Sequence, residues 1–212
     1  MVSPVTLPPA RREEPRIRQA PSKPWLVGAG VVVAVEMATH LVDFGADDLR
    51  IRLLDSAYEW SWSHLVATAA FATAAVLGFV GAHRATEHRR AWRLTAVLFA
   101  FLFVDNVTRA HDHFAGWPVV YAPLLAALML SIAVVAWDTD QRRIVVVALT
   151  LLIASLVIHV LGPHVVRALG WGPDGWAYQV KVGLKEGSEL AGWVLLLPPL
   201  ARLALDPRPA VP

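Results

Sequence analysis

The sequence predicts an all-α integral membrane protein, a six-transmembrane-helix bundle with both termini in the cytoplasm. Hydrophobic residues make up 56% of the 212-residue chain and charged residues only 17%. In soluble globular domains, apolar residues make up roughly 45–50% and charged residues about 25%. The apolar residues form continuous runs of about the 20 residues that a helix needs to cross a bilayer. They do not alternate with polar residues as membrane-barrel strands do. The chain has no cysteine, which excludes disulfides and thiolate metal sites.

Six apolar runs are the predicted spans, because a helix satisfies its own backbone hydrogen bonds within the bilayer. They cover residues 25–44, 62–82, 92–110, 119–137, 144–161 and 182–203. Residues 162–176 are rich in glycine and proline and are expected to be irregular. The transmembrane domain is therefore assigned to residues 25–205. Residues 1–24, with six prolines, are expected to be a disordered cytoplasmic tail, and residues 206–212 a short second one.

The distribution of lysine and arginine predicts the orientation of the helices. Six spans place both termini on one side, and 13 of the 19 basic residues fall on that side. Since cytoplasmic loops carry the excess of basic residues, the sequence predicts a multi-pass protein of the bacterial inner membrane. The net charge of +2 then reflects topology. The lipid bilayer, and no nucleic acid, is the expected partner.

Small residues recur every fourth position in the second predicted span. They lie on one helix face, where they allow another helix to approach closely, and they are Ala70, Ala74, Gly78 and Ala82. Packing within the bundle is the favoured interpretation, and a homodimer interface is the alternative.

Ionisable residues concentrate in the half of the predicted bundle opposite the termini. A charged residue at the centre of a spanning helix costs about 2.5–3.5 kcal/mol on insertion scales and normally faces the bundle interior or a wet cavity. The sequence therefore predicts one polar site that opens toward the extracytoplasmic face. The residues concerned are Glu36, His40, Asp43, His64, Asp105, Arg109, His111, Asp112, Lys185, Glu186 and Glu189.

Imidazoles and carboxylates without cysteine suit Zn, Cu, Fe or Mn, so a transition metal is the preferred ligand of this site. The expected ligands are Glu36, His40, His64, His111, Glu186 and Glu189. The expected charge partners are Asp43, Asp105, Arg109, Asp112 and Lys185. A weaker alternative is a haem held by two of His40, His64, His111 and His159. Another is an ion-pair network without metal, in which Lys181, Lys185 and Arg109 neutralise the carboxylates.

Three classes of function follow from this site. The preferred class is a metal-binding enzyme, or a subunit of a membrane redox or metal-handling complex. The second is a proton- or ion-coupled transporter that uses the same carboxylates, because chains of Asp, Glu and His mark proton relays in membranes. The third is a non-catalytic accessory or assembly subunit that contacts other membrane subunits. The sequence leaves open whether the protein is an enzyme.

Two segments resemble motifs of a family of uncharacterised bacterial polytopic membrane proteins. One is Leu102-Phe103-Val104-Asp105-Asn106 followed by His111-Asp112, and the other is Leu184-Lys185-Glu186-Gly187-Ser188-Glu189-Leu190-Ala191-Gly192. This sequence departs from the family pattern at Asn106, Asp112 and Lys185, where the loss of carboxylates at Asn106 and Lys185 lowers the negative charge of the site. The resemblance implies a polar intramembrane site and no particular activity.

Overall fold

The computed structural model is a bundle of six long helices, and every regular element among the described residues is helical. It describes residues 23–47, 51–55, 58, 60–113, 117–172 and 175–206. All six helices are long and apolar enough to cross a membrane, which confirms the predicted fold class and a multi-pass membrane protein. The helices are α1 (Lys23–Asp47), α2 (Trp62–Arg84), α3 (Arg89–Thr108), α4 (Trp117–Ala136), α5 (Arg142–Ala168) and α6 (Trp176–Leu205), and a 3₁₀ turn, Ala110–His113, follows α3.

The segment between α5 and α6 differs from the sequence prediction. Residues 162–176 were expected to be irregular, but α5 continues through Pro163 to Ala168 and α6 begins at Trp176. A membrane helix tolerates proline because its surroundings can re-satisfy the freed backbone group. The prediction of 182–203 for the last helix was too short because Lys181 and Lys185 lower the hydropathy of its first turns. The predicted tails fall mostly in residues 1–22 and 207–212, outside the described residues.

Helix α6 is the central element of the bundle. It packs against α1, α2 and α5, while α2 packs tightly against α3 and α4 lies outside α3 with sparse contact to α5. An aromatic cluster of Phe71, Phe99 and Trp193 joins α2, α3 and α6, with the Trp193 ring centroid 5.0 Å from Phe71 and 5.9 Å from Phe99. These three side chains are at most 6% exposed and fill the middle of the bundle.

The two ends of the bundle differ in what joins the helices. At the proximal end, where α1 begins and α6 ends, Arg84 donates to the carbonyl of Leu205 at 3.2 Å and Arg202 pairs with Asp140 at 2.8 Å. At the distal end, where α1 ends and α6 begins, the ring of Phe44 packs edge-on against Trp176 at 4.9 Å. The predicted orientation places the distal end outside the cytoplasm.

The small-residue stripe of α2 is buried inside the chain. Ala70, Ala74 and Ala82 are at most 7% exposed, and a Cβ added at Gly78 would lie 2.8 Å from the Cα of Ala96 on α3. These positions therefore serve packing within the bundle, the favoured sequence interpretation, and offer no exposed face to a second copy.

Candidate functional site

A cavity of about 410 Å³ lies in the distal half of the bundle, where α2 to α6 and the 3₁₀ turn meet. Its polar lining comes from every one of these elements. The polar lining residues are Ser63, His64, Asp105, Asn106, His111, Tyr121, Ser155, His159, Lys185, Glu186 and Glu189. The aromatic side chains of Phe71 and Trp193 form part of its apolar floor. The cavity therefore carries most of the polar residues that the sequence singled out.

The imidazole of His111 is held by the carboxylate of Asp105. Arg109 ends α3 in the left-handed conformation, at a φ of 58°, so the chain turns back over the last turn of α3. Asp105 then accepts from the His111 backbone N–H at 3.0 Å and from Nδ1 at 2.9 Å, and the Tyr121 hydroxyl also bonds to it. A carboxylate only accepts, so the proton of the His111 ring is on Nδ1. Metal-binding histidines are commonly oriented by such a carboxylate.

Lys185 bridges the two glutamates of α6. Its Nζ lies 2.9 Å from Oε1 of Glu186 and 2.7 Å from Oε2 of Glu189, and Ser155 donates to Glu189 at 3.3 Å. All three ionic side chains are partly exposed to the cavity, from 19% for Lys185 to 37% for Glu189. The ammonium group therefore occupies the position between the two carboxylates that a bound cation would otherwise take.

One imidazole nitrogen of the cavity, on His64, has no hydrogen bond within the described part of the chain, although the side chain of Asn106 lies within hydrogen-bonding reach of the ring. His64 begins α2, where its backbone N–H bonds to Ser61 at 3.4 Å, and its Nε2 is buried without a hydrogen bond to any described residue. Nearby, the amide of Asn106 donates to Thr68, which ties α3 to α2. A buried polar atom without a partner costs about 1–3 kcal/mol, so His64 Nε2 marks a position for a ligand.

Two ionisable residues of α1 serve the structure of the distal end. His40 and Asp43 are both 0% exposed and do not line the cavity. His40 Nε2 lies 3.0 Å from Oε1 of Gln179 on α6, and its Nδ1 lies 3.6 Å from Asp55. Asp43 accepts from the backbone N–H of Ile51 at 3.0 Å. These contacts fasten α1 to α6 and residues 51–55 to α1.

Glu36 is the most unusual of the buried carboxylates. It is 0% exposed, and neither of its carboxylate oxygens has a hydrogen bond within the described part of the chain. The Ser63 hydroxyl lies nearby but is bonded to Ser61 at 3.0 Å. Glu186 is close enough to Glu36 for the two carboxyl groups to interact. Glu36 therefore lies behind the cavity wall, next to its charged cluster.

The structure brings together four of the six predicted ligands. His64, His111, Glu186 and Glu189 line the cavity, as do the predicted charge partners Asp105 and Lys185, whereas Glu36 and His40 lie outside it. Arg109 is exposed at the end of α3, and the side chain of Asp112 lies outside the described part of the chain. Across the described ranges, no three His, Asp or Glu residues are close enough together to hold a metal ion.

Sequence reasoning missed Tyr121, Ser155 and Gln179, which contact Asp105, Glu189 and His40 respectively. Tyr121 and Ser155 are single polar residues in apolar stretches, and Gln179 falls outside the predicted span 182–203, so helical periodicity gave no signal for them. His159, considered only as a haem ligand, also lines the cavity.

A family model described as a domain of unknown function, DUF8692, matches residues 25–203. The chain belongs to this family. The DUF8692 match covers all six helices and every residue of the cavity. No curated protein and no solved structure matches the chain.

Proposed function

We propose that this DUF8692 protein binds a cation from the distal, extracytoplasmic side in its intramembrane cavity, and that a transition-metal ion is the cation its imidazoles suit. The observation that carries the proposal is the buried Nε2 of His64, which has no hydrogen bond to any described residue, in a cavity with an excess of carboxylates. A metal ion would give this nitrogen a partner and balance that charge.

The charges of the cavity favour a cation over an anion. Its described lining has three carboxylates, Asp105, Glu186 and Glu189, against the single ammonium of Lys185, and Glu36 adds a further carboxylate behind the wall. Opposite charges attract strongly where water is scarce. A cavity in the membrane with this composition is therefore expected to concentrate cations.

The chemistry of the donor groups supports a transition metal among cations. Imidazole and carboxylate suit Zn, Cu and Fe, and the Asp105–His111 pair has the arrangement that orients metal-binding histidines. His64, His111 and Glu189 would hold the ion. Because these groups are not gathered closely enough for a metal, binding would require Glu189 to leave Lys185. Such a centre would suit an enzyme or a subunit of a metal-handling complex.

Replacing His64 by alanine is expected to weaken Zn²⁺ binding about a hundredfold, because a ligand is lost. Asp105→Asn is expected to weaken it 10–100-fold, the usual effect of losing the partner that orients a ligand. Isothermal titration of detergent-purified protein, with metal content by mass spectrometry, measures both. His83→Ala, at an exposed position of the proximal end, is the matched control. Equal Zn²⁺ affinity in all four proteins would refute the metal site.

Cation-coupled transport is the second candidate function, and Glu36 favours it. A buried carboxylate with no hydrogen bond among the described residues is costly, and next to Glu186 it forms a carboxylate pair of the kind that marks ion and proton pathways in membranes.

Proton flux into liposomes, followed with an internal pH dye, tests this candidate. Glu36→Gln keeps the shape of the side chain and removes its charge, so it is expected to abolish a gradient-driven flux. Glu87→Gln, at an exposed position between α2 and α3, is expected to leave the flux unchanged. No flux in the unmodified protein would exclude proton transport.

A further inference from the structure

The cavity changes from polar to apolar along the membrane normal. On three of its helices the distal lining residue is polar, and the lining residue two turns deeper is apolar. The pairs are His64 and Phe71 on α2, Tyr121 and Met129 on α4, and His159 and Leu152 on α5. A lipid of the distal leaflet has the same polarity, with its head at the membrane surface and its chain toward the bilayer centre.

The dimensions of the cavity suit the head of an amphiphile and the first part of its chain. From Tyr121 to Met129 the helix advances eight residues, or about 12 Å at 1.5 Å per residue. A volume of about 410 Å³ is large enough for a small head group and several methylene groups. A two-chain phospholipid is several times larger, so a long chain would have to leave the cavity through a side opening.

The sparse contact between α4 and α5 leaves such a side opening. These two helices touch only sparsely. Leu156 of α5 lines the cavity and is 45% exposed. Ile153 and Val160, one turn to either side on α5, are 50% and 53% exposed and do not line the cavity. Leu156 therefore lies at the edge between the cavity and the outer surface, and a chain that passes beside it stays in apolar surroundings.

The contacts of Lys185 indicate which kind of head group Glu186 and Glu189 suit. Its aliphatic ammonium contacts both Glu186 and Glu189, at 2.9 and 2.7 Å, and the cavity still has more carboxylates than ammonium groups. We propose that the cavity takes up a single-chain amphiphile with an aliphatic ammonium head from the distal leaflet, through the opening between α4 and α5. The inference rests on the proposed cation site and adds the tail and the route of entry.

Photolabelling in nanodiscs of zwitterionic phosphatidylcholine tests this inference. The probes are dodecylamine and dodecanol, each with a photoreactive diazirine in the tail, and the labelled peptides are mapped by mass spectrometry. Dodecylamine is expected to label the stretches 125–129 and 152–156 at least fivefold more than dodecanol, because only its head is charged. Glu189→Gln is expected to remove this excess. Dodecylamine without the diazirine is expected to compete at least tenfold better than butylamine.

Two bulky substitutions test the route of entry. Leu156→Trp is expected to reduce the labelling at least fivefold by filling the opening. Leu130→Trp, at a position of α4 that is 66% exposed and does not line the cavity, is expected to leave it unchanged. Equal effects of the two variants would refute entry between α4 and α5.

The remaining outcomes separate this inference from the proposed function. Equal labelling by amine and alcohol would refute the ammonium head, and equal competition by butylamine and dodecylamine would refute the tail. Zn²⁺ binding without amine labelling would overturn this inference alone. Amine labelling without Zn²⁺ binding would support it and overturn the transition metal. Failure of both cations to bind would overturn the cation site itself.

Discussion

Replacing Lys185 by methionine is expected to raise the affinity for Zn²⁺ about a hundredfold and to lower the thermal stability of the metal-free protein. The ammonium that now lies between Glu186 and Glu189 would be gone, so an incoming ion would not have to displace it. At an effective dielectric constant of 20, a unit charge about 5 Å away contributes about 3 kcal/mol for each charge of the ion. That energy corresponds to more than a hundredfold in affinity.

Isothermal titration and a thermal melt with and without Zn²⁺ measure the two effects. Lys181→Met is the matched control, because Lys181 is one helical turn away and does not line the cavity. Its Nζ lies over the ring of Tyr178, at 5.2 Å. We expect Zn²⁺ to restore the melting temperature of the Lys185 variant only. Lower stability without any gain in metal affinity would mean that the ammonium and carboxylates form a purely structural ion-pair network.

Replacing Gly78 by valine is expected to separate α2 from α3 and to prevent the bundle from forming its native core. The new Cβ would lie 2.8 Å from the Cα of Ala96 and 2.9 Å from its backbone nitrogen. Backbone atoms cannot turn aside as a flexible side chain can, so the helices must move apart. Overpacking of a well-packed core typically costs 1–3 kcal/mol, and two methyl groups added against backbone are expected to reach at least the upper part of that range.

Melting temperature and elution volume in detergent measure this effect. Gly30→Val on α1 is the control, because an added Cβ there meets nothing within 4 Å. Since both variants add the same atoms to a spanning helix, their difference isolates the contact with Ala96. Similar melting temperatures for the two would contradict the close approach of α2 and α3.

The number and type of helices could be predicted because long apolar runs in a membrane have few alternatives. The direction in which the polar face of each helix points could not be predicted. Glu36, His40 and Asp43 share one helical face because of their spacing, but that face packs against α6 and the 51–55 segment instead of lining the cavity. Periodicity gives the position of residues around a helix, whereas the rotation of the helix depends on its neighbours.

The contact between Asp105 and His111 depends on a single backbone conformation. These residues are six positions apart, so on a continuous helix they would not face each other. The left-handed conformation of Arg109 ends α3 and turns His111 back onto Asp105. Arginine seldom adopts this conformation, and no pattern in the sequence predicts it. The two residues were therefore predicted for the same site without the hydrogen bonds that join them.

The dominant partner of α1 in the bundle is α6, so α1 packs chiefly on a helix that is synthesised only after four others, α2 to α5. Throughout synthesis of α2 to α5, the buried polar face of α1, with Glu36, His40 and Asp43, lacks the helix that covers it. Gln179, the hydrogen-bond partner of His40, is synthesised only after α5. The contact between α1 and α6 consequently forms only after α2 to α5 have been synthesised, and chains truncated before residue 176 would leave this ionisable face of α1 without α6.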